Sequence, residues 1–151
     1  MGWQSYGLDQ KAQRLVLAAR KRDPKSLNQG YKMRMAVAYG LERFWGEHLR
    51  LQNKEPEKSQ YWQDTWNTLV EVMGRANVVL PNDAVRVEDT DAILAMSKKL
   101  WGETPLDKLG RKLTLDDQRV ALAVLTQLCD CIVWWTQRYK GNENAAIDDE
   151  N

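Results

Sequence analysis

The chain has 151 residues, 43% of them hydrophobic and 28% charged, enough for one domain with a core of its own. No apolar run approaches the roughly 20 residues of a membrane span, and the opening MGWQSYGLDQ has no basic segment followed by an apolar one, so a cytoplasmic protein is the expectation. The net charge of +1 conceals an asymmetry: Lys11 to Arg50 holds ten bases against three acids, and the tail Gly141 to Asn151 holds four acids and no base, a segregation that can steer a polyanion toward one surface.

Leu8 to Arg22 reads as a first helix. Leu8, Ala12, Leu15, Val16 and Ala19 share one side, the 3.6-residue repeat of an amphipathic helix. Lys11, Arg14, Lys21 and Arg22 gather on another side, and Pro24 ends the run because the residue before a proline avoids helical angles. Ser26 to about Gln52 reads as a second, continuous helix, opened by a capping box in SLNQ between Ser26 and Gln29. Its expected apolar face is Leu27, Tyr31, Met35, Ala38, Leu41, Trp45 and Leu49, with Lys32, Tyr39, Arg43 and Arg50 opposite. Gly30, Gly40 and Gly46 weaken that helix, and a bend or close helix packing would account for them. The short connection around Pro24 makes the first two helices antiparallel neighbours, so their basic stripes could merge.

A linker, NKEPEKS, leads to a third helix from Pro56 or Ser59 to Ala76, with Trp62, Trp66, Leu69, Met73 and Ala76 inward. The stretch NVVLPNDAVRVED has no helical rhythm and reads as a long connection or a small hairpin turning at Pro81-Asn82-Asp83. Thr90 starts a fourth helix with Ile93, Leu94, Ser97, Leu100 and Trp101 inward. TPLD then caps a short helical turn that Gly110 stops. Thr114 caps the last helix, with Asp116 and Asp117 in its first turn. The expected architecture is all-α: a compact bundle of about five helices in a single domain over residues 1–140, followed by an acidic disordered tail over 141–151.

Groups suited to catalysis are sparse. His48 is the single histidine, and a structural or solvated role suits it better than acid–base work. Cys129 and Cys131 are two apart, so on a helix their side chains diverge and do not bridge; buried thiols are expected. The acid pairs at Asp89/Asp91 and Asp116/Asp117 fit helix N-termini better than a metal. No histidine–cysteine–carboxylate cluster has metal-ligand spacing and no phosphate-binding glycine loop is present. Neither an enzyme nor a cofactor or metal site is expected.

Charge combined with aromatic rings remains. The basic stripes could follow a phosphate backbone while an exposed ring stacks on a base; a solvated helix face is the plain alternative. On the last helix Val124, Leu128, Cys131, Ile132, Trp135 and Tyr139 form a core stripe with Ala121 and Leu125. Trp134 falls among Asp116, Arg119, Gln127, Asp130 and Gln137. Trp135 is therefore expected buried, and Trp134 exposed as a protein contact.

These residues resemble a family. LDQKA (Leu8 to Ala12), YGL (Tyr39 to Leu41, with Tyr where the family has Asn) and QRVALAVLTQLCDCIVWWTQRYK (Gln118 to Lys140) look like the small helical subunit of type III CRISPR effector complexes, most nearly of the Cmr class. The Csm-class subunit and the type I small subunit are close competitors, and Asn77 to Asp107 matches no part of the pattern. The resemblance implies a non-catalytic role in antiviral defence: subunits stacking in a row along an RNA-guided complex, with basic faces on the guide RNA and target nucleic acid and other effector subunits as partners. Base pairing then reads the sequence, and the protein needs only backbone contacts. The residues matched by helix and charge are Lys11, Arg14, Lys21, Arg22, Lys32, Arg43 and Arg50. The alternative is a helical protein–protein adaptor anchored by Trp134 and without nucleic-acid contact. A helix-turn-helix in TPLDKLGRKLTLDDQRVALAV is disfavoured, because Asp116 and Asp117 stand where phosphates would lie.

Overall fold

The computed structural model describes residues 7–140, and the acidic tail lies outside them. The described chain is all-α. Its six α-helices are α1 (Leu8–Arg22), α2 (Gln29–Ala36), α3 (Leu41–Leu51), α4 (Pro56–Arg75), α5 (Thr90–Leu100) and α6 (Leu115–Lys140). The 26-residue α6 is the axis on which α1, α2 and α4 pack, while α3 lies chiefly on α4. The core between them is aromatic: Phe44, Trp45, Tyr61, Trp62 and Trp66 are all buried. The rings of Phe44 and Trp62 meet at 4.9 Å, within the range of favourable tilted pairs.

The second helix expected from Ser26 to Gln52 is not continuous. A 3-10 turn occupies Pro24–Asn28, another occupies Val37–Tyr39, and Gly40 at φ +96° separates α2 from α3, an angle that glycine tolerates and side-chain-bearing residues rarely adopt. The expected capping box is replaced by Asp23, whose carboxylate accepts from the Lys25 amide at 3.0 Å. Ser26 turns away from Gln29 and bonds the Asp23 and Ala19 carbonyls. Each 3-10 segment turns about 120° per residue instead of 100°, so the apolar face loses its phase. Met35 is 72% exposed and Ala38 is exposed, while Met33, Val37 and Phe44 are buried instead.

Gly30 is a point of close packing. A Cβ built there would stand 2.9 Å from Thr136 Oγ1 and 3.0 Å from Ile132 Cγ2 of α6. Gly46 has open space around it, with only Glu42 Oε2 within 4 Å of such a Cβ.

Residues 77–89 form neither helix nor hairpin. The segment is tied to the bundle by side chains. Gln52 donates from Nε2 to the Val85 carbonyl (3.2 Å) and accepts from the Val87 amide at Oε1 (2.8 Å). Trp66 donates from Nε1 to the Pro81 carbonyl at 3.2 Å, and Leu80 and Val85 are buried. On α5, Met96, Ser97 and Leu100 face inward, whereas Leu94 and Trp101, expected inside, are about half exposed. The TPLD segment is not helical: Asp107 accepts from the Leu109 and Arg111 amides and closes a loop. Thr114 does cap α6, its hydroxyl accepting from the Asp117 amide at 3.0 Å while the Asp117 carboxylate accepts from the Thr114 amide, the reciprocal arrangement of a capping box.

Candidate nucleic-acid interface

Of the α1 cations, Lys11, Arg14 and Arg22 lie along α4, and two of them are engaged there. Lys11 reaches the Glu71 carboxylate at 2.8 Å with its side chain largely buried, and its hydrogen bond holds the Glu71 carboxyl below the usual range. Arg22 reaches Asp64 at 3.1 Å. Between these bridges Arg14, Leu15 and Ala18 of α1 and Asn67 and Thr68 of α4 line an open groove of about 320 Å³. Arg14 and Lys21 are exposed and make no hydrogen bond or ion pair with another described residue. The two stripes border different grooves: Lys11 and Arg14 line the one between α1 and α4, and Lys32 and Arg43 line the cleft of α2 and α3.

The second stripe is more open. Arg50 is engaged within α3, its guanidinium forking onto both Glu47 oxygens at 2.9 Å. Lys32 and Arg43 are not so engaged. With Met35, Tyr39, Glu47 and Trp62 they line an open cleft of about 290 Å³. The break at Gly40 ends α2 early and leaves Tyr39 on a 3-10 turn, 67% exposed. The Arg43 guanidinium carbon stands 5.1 Å from the Tyr39 ring centroid, cation–π distance. Two cations and an exposed ring thus border one cleft.

A third surface lies where α1 meets the end of α6. Trp134 is 53% exposed, as expected. Trp135, expected in the core, is half-buried, because α1 covers only one side of it. Its indole Nε1 donates to Asp9 at 2.9 Å, and its ring stacks on Tyr139 with centroids 5.5 Å apart and planes 19° apart. The Tyr139 hydroxyl accepts from Gln13 at 3.0 Å. Trp134 and Trp135 meet edge to face at 4.9 Å. Arg138 lies 5.6 Å from the first indole and 5.2 Å from the second, and Arg20 lies 5.7 Å from Tyr139. On the far side of the exposed stripe Arg34 of α2 reaches Asp130 at 2.6 Å. Helical periodicity alone does not group Arg20, Arg34 and Arg138, since Arg20 and Arg34 meet the ring and the acid across helices. The four-residue spacing of Trp134 and Arg138, and of Trp135 and Tyr139, is the one local signal.

The remaining candidates are structural. His48 is buried, its Nδ1 facing the Trp45 carbonyl, and burial pushes its pKa down. Cys129 and Cys131 are free thiols, and burial raises both pKa values, away from the reactive thiolate. Among the described residues no group of three or more His, Cys, Asp or Glu could hold a metal ion. α6 meets the length and mean hydropathy of a membrane span, but it is also the helix that α1, α2 and α4 cover, and the core helix of a bundle passes the same test. No family model matches the chain, and neither does any curated protein or solved structure.

Proposed function

We propose that the chain is a non-catalytic nucleic-acid-contacting subunit of the small helical kind found in RNA-guided CRISPR effector complexes, working beside other effector subunits and further copies of itself. The observation that carries this reading is the cleft of α2 and α3, where Lys32 and Arg43 have no hydrogen bond or ion pair with another described residue and Arg43 lies against the exposed ring of Tyr39. Cations of this kind neutralise phosphates, and an exposed ring accepts a base without selecting one. Arg14 and Lys21 on the α1 face would add charge along the same backbone. Lys11, Arg22 and Arg50 would contribute less, because displacing Glu71, Asp64 or Glu47 offsets what a phosphate adds.

The test is a Lys32→Glu/Arg43→Glu variant in the assembled particle. The variant is expected to remain in the particle while target affinity falls. In the isolated chain, if about three phosphates are neutralised, affinity for a single strand should fall with a log–log salt slope near −2. A variant that assembles and binds target as the wild type does would remove the nucleic-acid role. A second reading, a protein–protein adaptor without nucleic-acid contact, would then stand, favoured by the exposed Trp134. Its mark would be a Trp134→Ala variant that folds but no longer associates in sedimentation.

A further inference from the structure

We infer that the row formed by Arg20, Tyr139, Trp135, Arg138 and Trp134 is a second single-strand site, in which Trp134 stacks on a base and the two arginines hold the flanking phosphates. This rests on the proposed function only in taking nucleic acid as the partner. The surface is a different one, made by α1 and α6.

Three features point to this occupant. First, Trp134 presents more than half of its surface to solvent on a folded, well-packed helix, and its neighbour Trp135 holds it edge to face. A large fixed ring of this kind is ready to stack without first being ordered. Second, the nearby carboxylates and arginines are unequally engaged. Asp9 accepts from the Trp135 indole and Asp130 pairs with Arg34. Arg20 and Arg138 make no ion pair with another described residue and lie beside rings instead. A guanidinium beside a ring keeps its N–H edge free, and that edge fits a phosphate oxygen. Third, one cation stands at the Tyr139 end of the aromatic row and the other beside both indoles, so an anionic, ring-bearing chain finds a counter-charge next to each part of the row. An apolar peptide would leave both guanidiniums without a counter-charge, and an acidic peptide would leave the indole unused.

The experiment titrates the full chain with a fluorescein-labelled oligothymidylate of about 15 nucleotides, and with an abasic strand of the same length and charge, following anisotropy. Stacking on one ring should give roughly a tenfold preference for the strand that has bases. Trp134→Ala should erase that preference, Trp134→Phe should keep most of it, and Arg138→Gln should weaken both strands. A Trp134→Ala variant that keeps the full preference overturns the inference. So does one whose only change is loss of self-association in sedimentation, which would assign the ring to a second copy of the chain. The two sites separate cleanly. Loss of binding in Lys32→Glu/Arg43→Glu with no effect of Trp134→Ala overturns this inference and leaves the α2–α3 reading standing. A wild-type chain that binds neither strand at low salt overturns the inference as well, whereas the α2–α3 reading is then judged in the assembled particle.

Discussion

Trp134 and Trp135 are adjacent on one helix with ring centroids 4.9 Å apart, edge to face, yet they belong to different parts of the molecule. Trp135 is anchored to Asp9 and Tyr139 beneath the edge of α1, whereas Trp134 stands outside. Their substitutions should therefore separate. Trp135→Ala removes ring packing and the Asp9 bond from a half-buried site and is expected to cost about 2–4 kcal/mol, somewhat below a fully buried tryptophan. Trp134→Ala should stay within about 1 kcal/mol of wild type. Urea unfolding of both variants checks this, and equal losses would contradict the assignment.

Gly30 and Gly46 make a second contrast. A methyl group at position 30 would press on Thr136 and Ile132 at about contact-breaking distance, so α2 and α6 would have to part. Gly30→Ala should destabilise by about 1–3 kcal/mol. Position 46 is open, and removing a helix-interior glycine there should stabilise by about 0.5–1 kcal/mol. Thermal midpoints moving in opposite directions are the expected result.

The helices that were legible in the sequence are those whose apolar period runs unbroken. α1 and α4 show this: Leu8, Ala12, Leu15, Val16 and Ala19 are buried on one, Trp62, Trp66, Leu69 and Met73 on the other. The region from Ser26 to Gln52 departs from one continuous helix because its 3-10 turns and Gly40 change the turn per residue, and a fixed 3.6-residue period cannot follow that. Met35 went to the surface for this reason. The basic faces were legible as local charge. Their partners were not, because Glu71 and Asp64 lie far downstream of Lys11 and Arg22 and meet them only through the packing of α1 on α4. The row from Arg20 to Trp134 is likewise a product of tertiary packing, joining residues over a hundred positions apart.

Gln52 holds residues 77–89 in place of a hairpin partner. Its amide satisfies both the Val85 carbonyl and the Val87 amide, much as a neighbouring strand would. Gln52→Ala leaves both backbone groups seeking water and should cost about 1–2 kcal/mol. Gln52→Glu keeps the acceptor for the Val87 amide and loses the donor to Val85, so an intermediate loss is expected. Hydrogen exchange at Val87 should quicken in the alanine variant and change little in the glutamate variant. Exchange unchanged in the alanine variant would show that burial of Leu80 and Val85 alone holds the segment.

His48 is the group expected to give the fold a pH dependence near neutrality. The ring is buried against Trp45, and removing it from water disfavours the charged imidazolium, more than the bond to the Trp45 carbonyl favours it. The folded-state pKa therefore lies below the ordinary imidazole value of 6.5 that the unfolded chain approaches. Below about pH 6.5 the unfolded state takes up a proton that the folded state refuses, so stability rises with pH. The contribution is fully present above the unfolded pKa and is lost as pH falls through 6.5 toward the folded value. Carboxylates such as Glu71, held below their usual range by cations, lose their contribution only at lower pH, which leaves the histidine's window distinct. Urea midpoints measured at about pH 7.5 and about pH 5.5 should fall between the two for wild type. In His48→Asn, whose amide nitrogen can still donate to the Trp45 carbonyl, the fall should be smaller. If both proteins lose the same stability over that interval, the titrating group lies elsewhere.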